Sequence, residues 1–353
     1  MQDLDLDALV RRATEAARRS APDASVRGLR RLEGGVSSLT FASALVTGTA
    51  EQAVVLKVAP PGLAPVRNRD VLRQARALTR LSALADFPVP RVLFEDEGRP
   101  PEVPPLFAME LRPGDSYEPR LDVAAAPPPA DVAADRMRVA ALGLARLQSA
   151  SPQSLRLADE PVSSGREELD RWQRLFATVD PDIGVGHEKL YDRLATSAPT
   201  GINPRLLHGD YRLANMLFTE RRLEAVIDWE IWSVGDPRFD LAWLLMHADP
   251  SHVFHENRST ADVAAGSTLP ARDEMLAIYA NARAAYGASD REVGEATSEL
   301  GWFLGVCHYK TAATIAVIYK RDRKRPNPDP KLATAALHLD AVLDAGHSAL
   351  AGL

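Results

Sequence analysis

Residues 206–218 read LLHGDYRLANMLF, so that His208, Asp210 and Asn215 interrupt an otherwise apolar run. Polar groups buried without partners are expensive, which rules out a plain hydrophobic strand here. The flanking leucines, methionine and phenylalanine read instead as two short strands, with the polar residues in the loop between them. A further apolar strand, LEAVID, ends at Asp228, thirteen residues beyond Asn215. Carboxylate and amide oxygens delivered from neighbouring strand ends suit a hard, oxygen-seeking cation such as Mg²⁺. Zinc is disfavoured, because the chain has a single cysteine, Cys307, and no HExxH spacing.

Asp210, Asn215 and Asp228 also stand in the order of the kinase catalytic set: a base, a metal-binding Asn and a metal-binding Asp. Phosphoryl transfer needs an in-line hydroxyl and neutralised phosphate oxygens, and little covalent help from the protein. Asp236 and Asp240, in GDPRFD, are assigned to structure because Gly-Asp-Pro is a strong turn signal.

The chain has 353 residues, enough for two domains of ordinary size. Its hydrophobic share of 46% and charged share of 25% are those of a globular protein. A net charge of -6 offers no basic field for bulk nucleic-acid binding. Asp3, Asp5 and Asp7 stand where a basic leader would be, and the apolar stretch from Leu300 to Ile318 contains His308 and Lys310. Neither a signal peptide nor a membrane span is expected. Cys307 cannot form an internal disulfide, which fits a reducing cytoplasm. The expectation is a cytoplasmic monomer or homodimer with no nucleic-acid or membrane partner.

Segments 26–32, 39–46 and 52–58 are short and partly β-branched, as in a meander. Apolar spacing predicts a helix over 70–84, and VPRVLFED and LFAMEL read as two more strands. Helices are predicted over 131–150, 167–178 and 187–196 and through most of the rest. The expected fold class is α+β, protein-kinase-like and bilobal. Residues 1–110 form a nucleotide-binding lobe of five antiparallel strands plus a helix, and residues 111–353 a mostly helical lobe for catalysis and acceptor binding.

A kinase needs a nucleotide site, and the first lobe offers one. LEGGVSSLTF places Gly34, Gly35, Ser37 and Ser38 between two strands, where amides and hydroxyls can cover phosphates. Lys57 ends the apolar strand AVVLKVA, with its ammonium available to α- and β-phosphates. FAMELRPG would be the hinge, with Met109 as a wall of the adenine pocket and the backbone of Glu110 and Leu111 binding adenine as an edge strand does.

The text from Leu206 to Leu245, LLHGDYRLANMLF followed by VIDWEIWSVGDPRFDLAWLL, resembles the aminoglycoside phosphotransferase-like small-molecule kinases. Within them it is most similar to the branch that includes domains fused to acyl-CoA dehydrogenases. The resemblance implies ATP- and Mg-dependent transfer of a γ-phosphate to a hydroxyl of a small molecule, with GTP left open as donor. It implies that Asp210 positions and deprotonates that hydroxyl, that Asn215 and Asp228 hold Mg²⁺, and that His208 and Asp240 brace the loop. In that family a glutamate on the helix after the lysine strand pairs with the lysine. Here RQARALTRL puts Gln74 in that place, an amide that can bond to Lys57 without balancing its charge, and Asp70, one turn earlier, is the alternative partner.

For the acceptor, Glu230 and the acids of DEPVSSGREELD (Asp159, Glu160, Glu167, Glu168, Asp170) would suit a polycationic aminoglycoside. The run Lys320, Arg321, Arg323, Lys324 and Arg325 would suit an anion such as a hydroxyacyl-CoA thioester. Each set also reads as ordinary structure, as acids at a helix start and as solvated surface. Trp232, Trp302 and Tyr309 are candidates for the acceptor cleft or for the core. Two competing functions are a nucleotide-binding pseudokinase acting as a regulatory module, and a metal-dependent hydrolase using Asp210, Asp228 and His208.

Overall fold

The computed structural model describes residues 5–32, 38–252 and 258–351, which group into two compact units. The first unit opens with helix α1 (Leu6–Arg18) and strands β1 (Ser25–Leu32), β2 (Leu39–Thr47) and β3 (Ala50–Val58). Helix α2 (Val71–Leu81) follows, then β4 (Val92–Asp96) and β5 (Leu106–Glu110). The five strands make one antiparallel sheet in the order β1-β2-β3-β5-β4, which is the sheet with one inserted helix that the sequence predicts.

Local chemistry accounts for these elements. Strands β2 and β3 pair from Leu39 opposite Val58 to Thr47 opposite Ala50, and the turn joining them uses Gly48 at φ 57°, a conformation glycine adopts without strain. Helix α1 buries Leu9, Ala13, Ala16 and Ala17 along one stripe. That stripe packs with Phe41, Leu56, Val58, Phe94 and Leu106 of the sheet. Asp70 caps α2 by accepting the Arg73 amide at 3.1 Å, which stabilises a helix by about 1 kcal/mol.

The second unit begins at Ser116. It contains α3 (Ala130–Ser149), the short strand β6 (Val162–Ser163), α4 (Gly165–Phe176), α5 (His187–Thr196) and β7 (Arg205–Leu207). The chain then returns to the first unit through the hairpin β8 (Met216–Thr219) and β9 (Arg222–Val226). Asp115 and Phe218 exchange backbone hydrogen bonds at 3.0 and 2.9 Å, and the Val226 amide donates to Pro88 at 2.9 Å. These bonds are why the units do not follow one continuous cut between 110 and 111: Asn215–Thr219 and Leu223–Trp232 belong with the first.

Strand β10 (Ser233–Gly235) resumes the second unit, pairing parallel to β6 and antiparallel to β7. Helices α6 (Arg238–Ala248), α7 (Thr260–Ala265), α8 (Arg272–Ala285) and α9 (Asp290–Thr297) follow. Then come α10 (Leu300–Asp322), α11 (Pro330–Leu337) and α12 (Leu339–Ala351). Helix α10, 23 residues long, packs against α4, α5, α6 and α12. Among the described residues no helix is long and apolar enough to cross a membrane.

Candidate active site

The first unit carries the nucleotide-side candidates. Lys57 stands on β3 between the fully buried Leu56 and Val58. Its side chain is 10% exposed, and its Nζ lies 2.9 Å from Oδ1 of Asp228, which is 40% exposed. A pair with one half-exposed carboxylate contributes at most about 1 kcal/mol to stability, so it fixes where the ammonium points more than it holds the fold. Asp228 has φ 63° and ψ 56°, a left-handed conformation that Asp tolerates better than most residues. It is held by the turn that follows, where Trp229 is buried against Phe87 with centroids 6.1 Å apart and donates to the Val226 carbonyl. Asn215 is buried, and its carbonyl accepts the Ile227 amide at 2.9 Å, which ties Asn215 to the residue before Asp228. One amide oxygen and one carboxylate fit Mg²⁺, which keeps several waters and takes its remaining ligands from phosphates.

Other first-unit expectations are corrected. Gln74 is buried, but its Nε2 has no hydrogen-bond partner, and Asp70 is spent on capping α2. The side chain paired with Lys57 is Asp228, so neither proposed partner serves. Met109 is buried, as a pocket wall would be. Strand β5, however, is not an edge: it lies between β3 and β4, and the amides of Glu110 and Leu111 donate to Arg91 and Ala53. The Glu110 carboxylate pairs with Arg91 at 2.9 Å. Trp232 is core, 1% exposed, with its indole donating to the Arg73 carbonyl at 3.1 Å and the Arg73 guanidinium 3.8 Å over its ring. Glu230 is half-buried in the turn after Asp228. Ser38 is buried, with its Oγ unpartnered. Gly34, Gly35 and Ser37 lie outside the described residues.

The second unit carries the loop of His208, Gly209 and Asp210. The two carboxylate oxygens of Asp240, at the start of α6, accept the amides of His208 at 2.6 Å and Gly209 at 2.9 Å. His208 Nδ1 accepts the Asp210 amide at 3.2 Å. Tyr211 anchors the loop from below through a 3.0 Å bond to the Ala140 carbonyl. Asp210 Oδ1 accepts from Arg212 Nε at 3.1 Å and from the Trp243 indole at 2.8 Å. Burial pushes the Asp210 carboxyl up, but Arg212, Lys310, His247 and His208 outweigh it and hold the group well below the usual carboxylate range. The carboxylate is therefore ionised at any working pH.

Three participants escaped the sequence reading. Trp243 bonds Asp210 directly. Lys310, in the middle of α10, donates to the Gly209 carbonyl and places its ammonium 3.8 Å over the Trp243 ring. Glu118 is fully buried and accepts the Ala214 amide at 3.4 Å; burial raises its carboxyl to about 8, against the pull of Arg212. Only Lys310 left a trace in the sequence, as a cation inside an apolar helix.

Several of the remaining acceptor candidates make structural contacts. Trp302 is 1% exposed and donates to the Leu194 carbonyl at 2.8 Å, and Tyr309 is buried with its hydroxyl 2.9 Å from His187. They lie in the core and do not wall a cleft. Glu167 closes the α4 capping box, Glu168 accepts the Trp172 indole, and Asp170 pairs with Arg166. Arg323 pairs with Asp180 and Asp182, and Lys320 and Lys324 lie within 3.7 and 3.4 Å of Asp180. Asp236 is bound by Arg238 at 2.7 Å, as its structural assignment requires.

A five-stranded antiparallel unit with a lysine–aspartate pair and a mostly helical unit with a braced Asp loop define a kinase-type phosphotransferase fold. The chain belongs to the phosphotransferase enzyme family, whose sequence profile matches residues 28–278. It is 29% identical over 185 residues to acyl-CoA dehydrogenase family member 11 of Homo sapiens, a match covering 50% of this chain and 22% of that one. The Rattus norvegicus protein of the same name is 25% identical over 276 residues, covering 76% and 34%. The chain thus matches only about a fifth to a third of the length of these relatives. Among solved structures, a candidate aminoglycoside phosphotransferase from Ralstonia eutropha superposes with a TM-score of 0.72 at 20% identity, covering 98% of this chain and 97% of that one. The macrolide 2'-phosphotransferase MphH of Brachybacterium faecium gives 0.52 at 18% identity, covering 96% and 97%.

Proposed function

We propose that the protein is an ATP- and Mg²⁺-dependent phosphotransferase that moves the γ-phosphoryl group to a hydroxyl of a small molecule. The observation that carries this reading is the Lys57–Asp228 pair: a lysine whose stem is buried in β3, aimed at the carboxylate that the family pattern assigns to the metal. Lys57 binds α- and β-phosphate oxygens, and Asn215 and Asp228 are the residues that would hold Mg²⁺. Bound there, the ion neutralises charge on the phosphate oxygens. Because the Glu110 and Leu111 amides are engaged within the sheet, adenine is recognised by main chain beyond Leu111, with Met109 behind it.

Asp210 accepts a hydrogen bond from the acceptor hydroxyl and orients it. As the hydroxyl oxygen bonds to the γ-phosphorus, the bond from phosphorus to the β,γ-bridging oxygen breaks and ADP leaves, while the hydroxyl proton passes to Asp210. A carboxylate held so far below the usual range is a weak base, so its orienting role dominates and the proton moves late. Structures with bound hygromycin B and AMP-PNP are known for the related-fold aminoglycoside phosphotransferase APH(4)-Ia, and the acceptor here is proposed as aminoglycoside-like or another hydroxylated metabolite, including a hydroxyacyl-CoA.

The test is ADP release with aminoglycosides, macrolides, amino alcohols, sugars and hydroxyacyl thioesters. Acceleration by one class, abolished in Asp210→Asn, supports the reading; wild-type turnover in that variant sinks it. Gln74, neutral where the family pattern has a glutamate, favours a second reading as a nucleotide-binding pseudokinase. That reading requires a melting temperature raised by ATP with no acceptor accelerating ADP release.

A further inference from the structure

Gly209 sits at φ 84°, and a glycine peptide turns easily unless both of its polar ends are held. Asp240 holds the amide at 2.9 Å. The carbonyl is held by Lys310, which reaches it from α10, a hundred residues away in sequence. The same ammonium stands 3.8 Å over the ring of Trp243 and 5.4 Å from that of Trp172, and Trp243 in turn donates to Asp210 Oδ1. A cation over an indole is attracted to the face of the ring, so it fixes the ring as well as the peptide. Stability alone would not place a lysine here, since the surrounding residues of α10, Phe303 to Cys307 and Thr311 to Ala313, are almost all buried and a methionine would pack among them without a charge to satisfy.

We propose that Lys310 is a positioning residue for Asp210, holding the Gly209 carbonyl and the Trp243 indole so that the carboxylate stays in one place. Other charged and titratable groups around Asp210 include Arg212 and His208 in its own loop, Asp240 and His247 on α6, and Glu118 before α3. The group that bonds the Gly209 carbonyl is Lys310. Lys310 also lowers the Asp210 carboxyl by its charge, against the upward push of burial. The proposal rests on the phosphotransfer reading only for its effect on rate; the geometry it asserts stands without it.

The test therefore has two readouts. In ¹⁵N-labelled protein the indole N–H signal of Trp243, identified by its loss in Trp243→Phe, reports the bond to Asp210. Lys310→Met should move that signal, as Asp210→Asn does, while Lys310→Arg, which keeps a cation and a donor, should leave it near the wild-type position. In ADP release from Mg·ATP, with water or the best panel compound as acceptor, Lys310→Met should lower kcat about 10- to 100-fold with the KM for ATP within about twofold, and Lys310→Arg should recover most of it. An unmoved Trp243 signal in Lys310→Met overturns the proposal, and so does a loss of rate that arginine does not recover. Wild-type turnover in Asp210→Asn overturns the phosphotransfer reading instead, leaving the Trp243 result to decide the role of Lys310.

Discussion

The indole of Trp243 donates to Oδ1 of Asp210 at 2.8 Å, across 33 positions of sequence. The orientation of the candidate base is thus set by the face of α6 as well as by its own loop. Trp243→Phe removes the donor and keeps most of the packing, so stability should fall by only about 1 kcal/mol. Turnover should fall at least tenfold, because the carboxylate loses a bond that fixes its rotamer. Urea denaturation beside ADP release separates the two effects, and a stability loss without a rate loss would refute the role given to Trp243.

Asp228→Asn should fold as well as the wild type, since asparagine accepts the left-handed backbone, while the pairing with Lys57 and the charge for the metal are lost. In thermal melts, Mg·ATP should raise the wild-type melting temperature more than ATP with a chelator does. In the variant the two additions should act alike. A full Mg²⁺-dependent rise in Asp228→Asn would remove Asp228 from the metal set.

Gln74 buries an amide nitrogen with no partner, and such a group costs about 1–3 kcal/mol. Gln74→Met, close in volume, should raise stability by about 1 kcal/mol and leave the KM for ATP unchanged, because Lys57 is held by Asp228. A several-fold rise in KM would restore Gln74 as the partner of Lys57.

Glu118 gives a pH signature. Its carboxyl is raised from 4.5 to about 8 by burial, so between those values the folded protein holds a proton that the unfolded chain has lost. Its stabilising contribution is complete below pH 4.5 and disappears as pH rises through 8, with a slope approaching about 1.4 kcal/mol per unit. Glu118→Gln, always neutral, lacks that slope. The stability difference between variant and wild type, followed from pH 5 to 9, should grow in favour of glutamine; a flat difference would mean that Glu118 is ionised in the folded state.

Local signals carried much of this in the sequence. Strand alternation and turn residues gave the five-stranded sheet and α2, and the fixed spacing of Asp210, Asn215 and Asp228 singled out candidates whose loops the structure braces at both ends. What local signals could not carry are relations made by tertiary packing. Lys310 reads as an anomaly in an apolar helix until α10 is seen to pass the loop, and Trp243 reads as one more core aromatic. The edge-strand part of the hinge expectation failed for a similar reason: nothing in FAMELRPG tells that β4 and β3 occupy both sides of β5. Trp232, Trp302 and Tyr309 were ambiguous because an aromatic ring with a polar tip suits a cleft and a core equally, and only the carbonyl or histidine each one meets decides it.

The left-handed backbone of Asp228 bears on how such a protein can lose its chemistry. The residues most at ease at that position are asparagine and glycine, and both discard the negative charge. Given the metal role proposed for Asp228, a single change there would remove the reaction without straining the backbone, so a lineage with no use for the reaction can silence it while keeping the scaffold for other purposes.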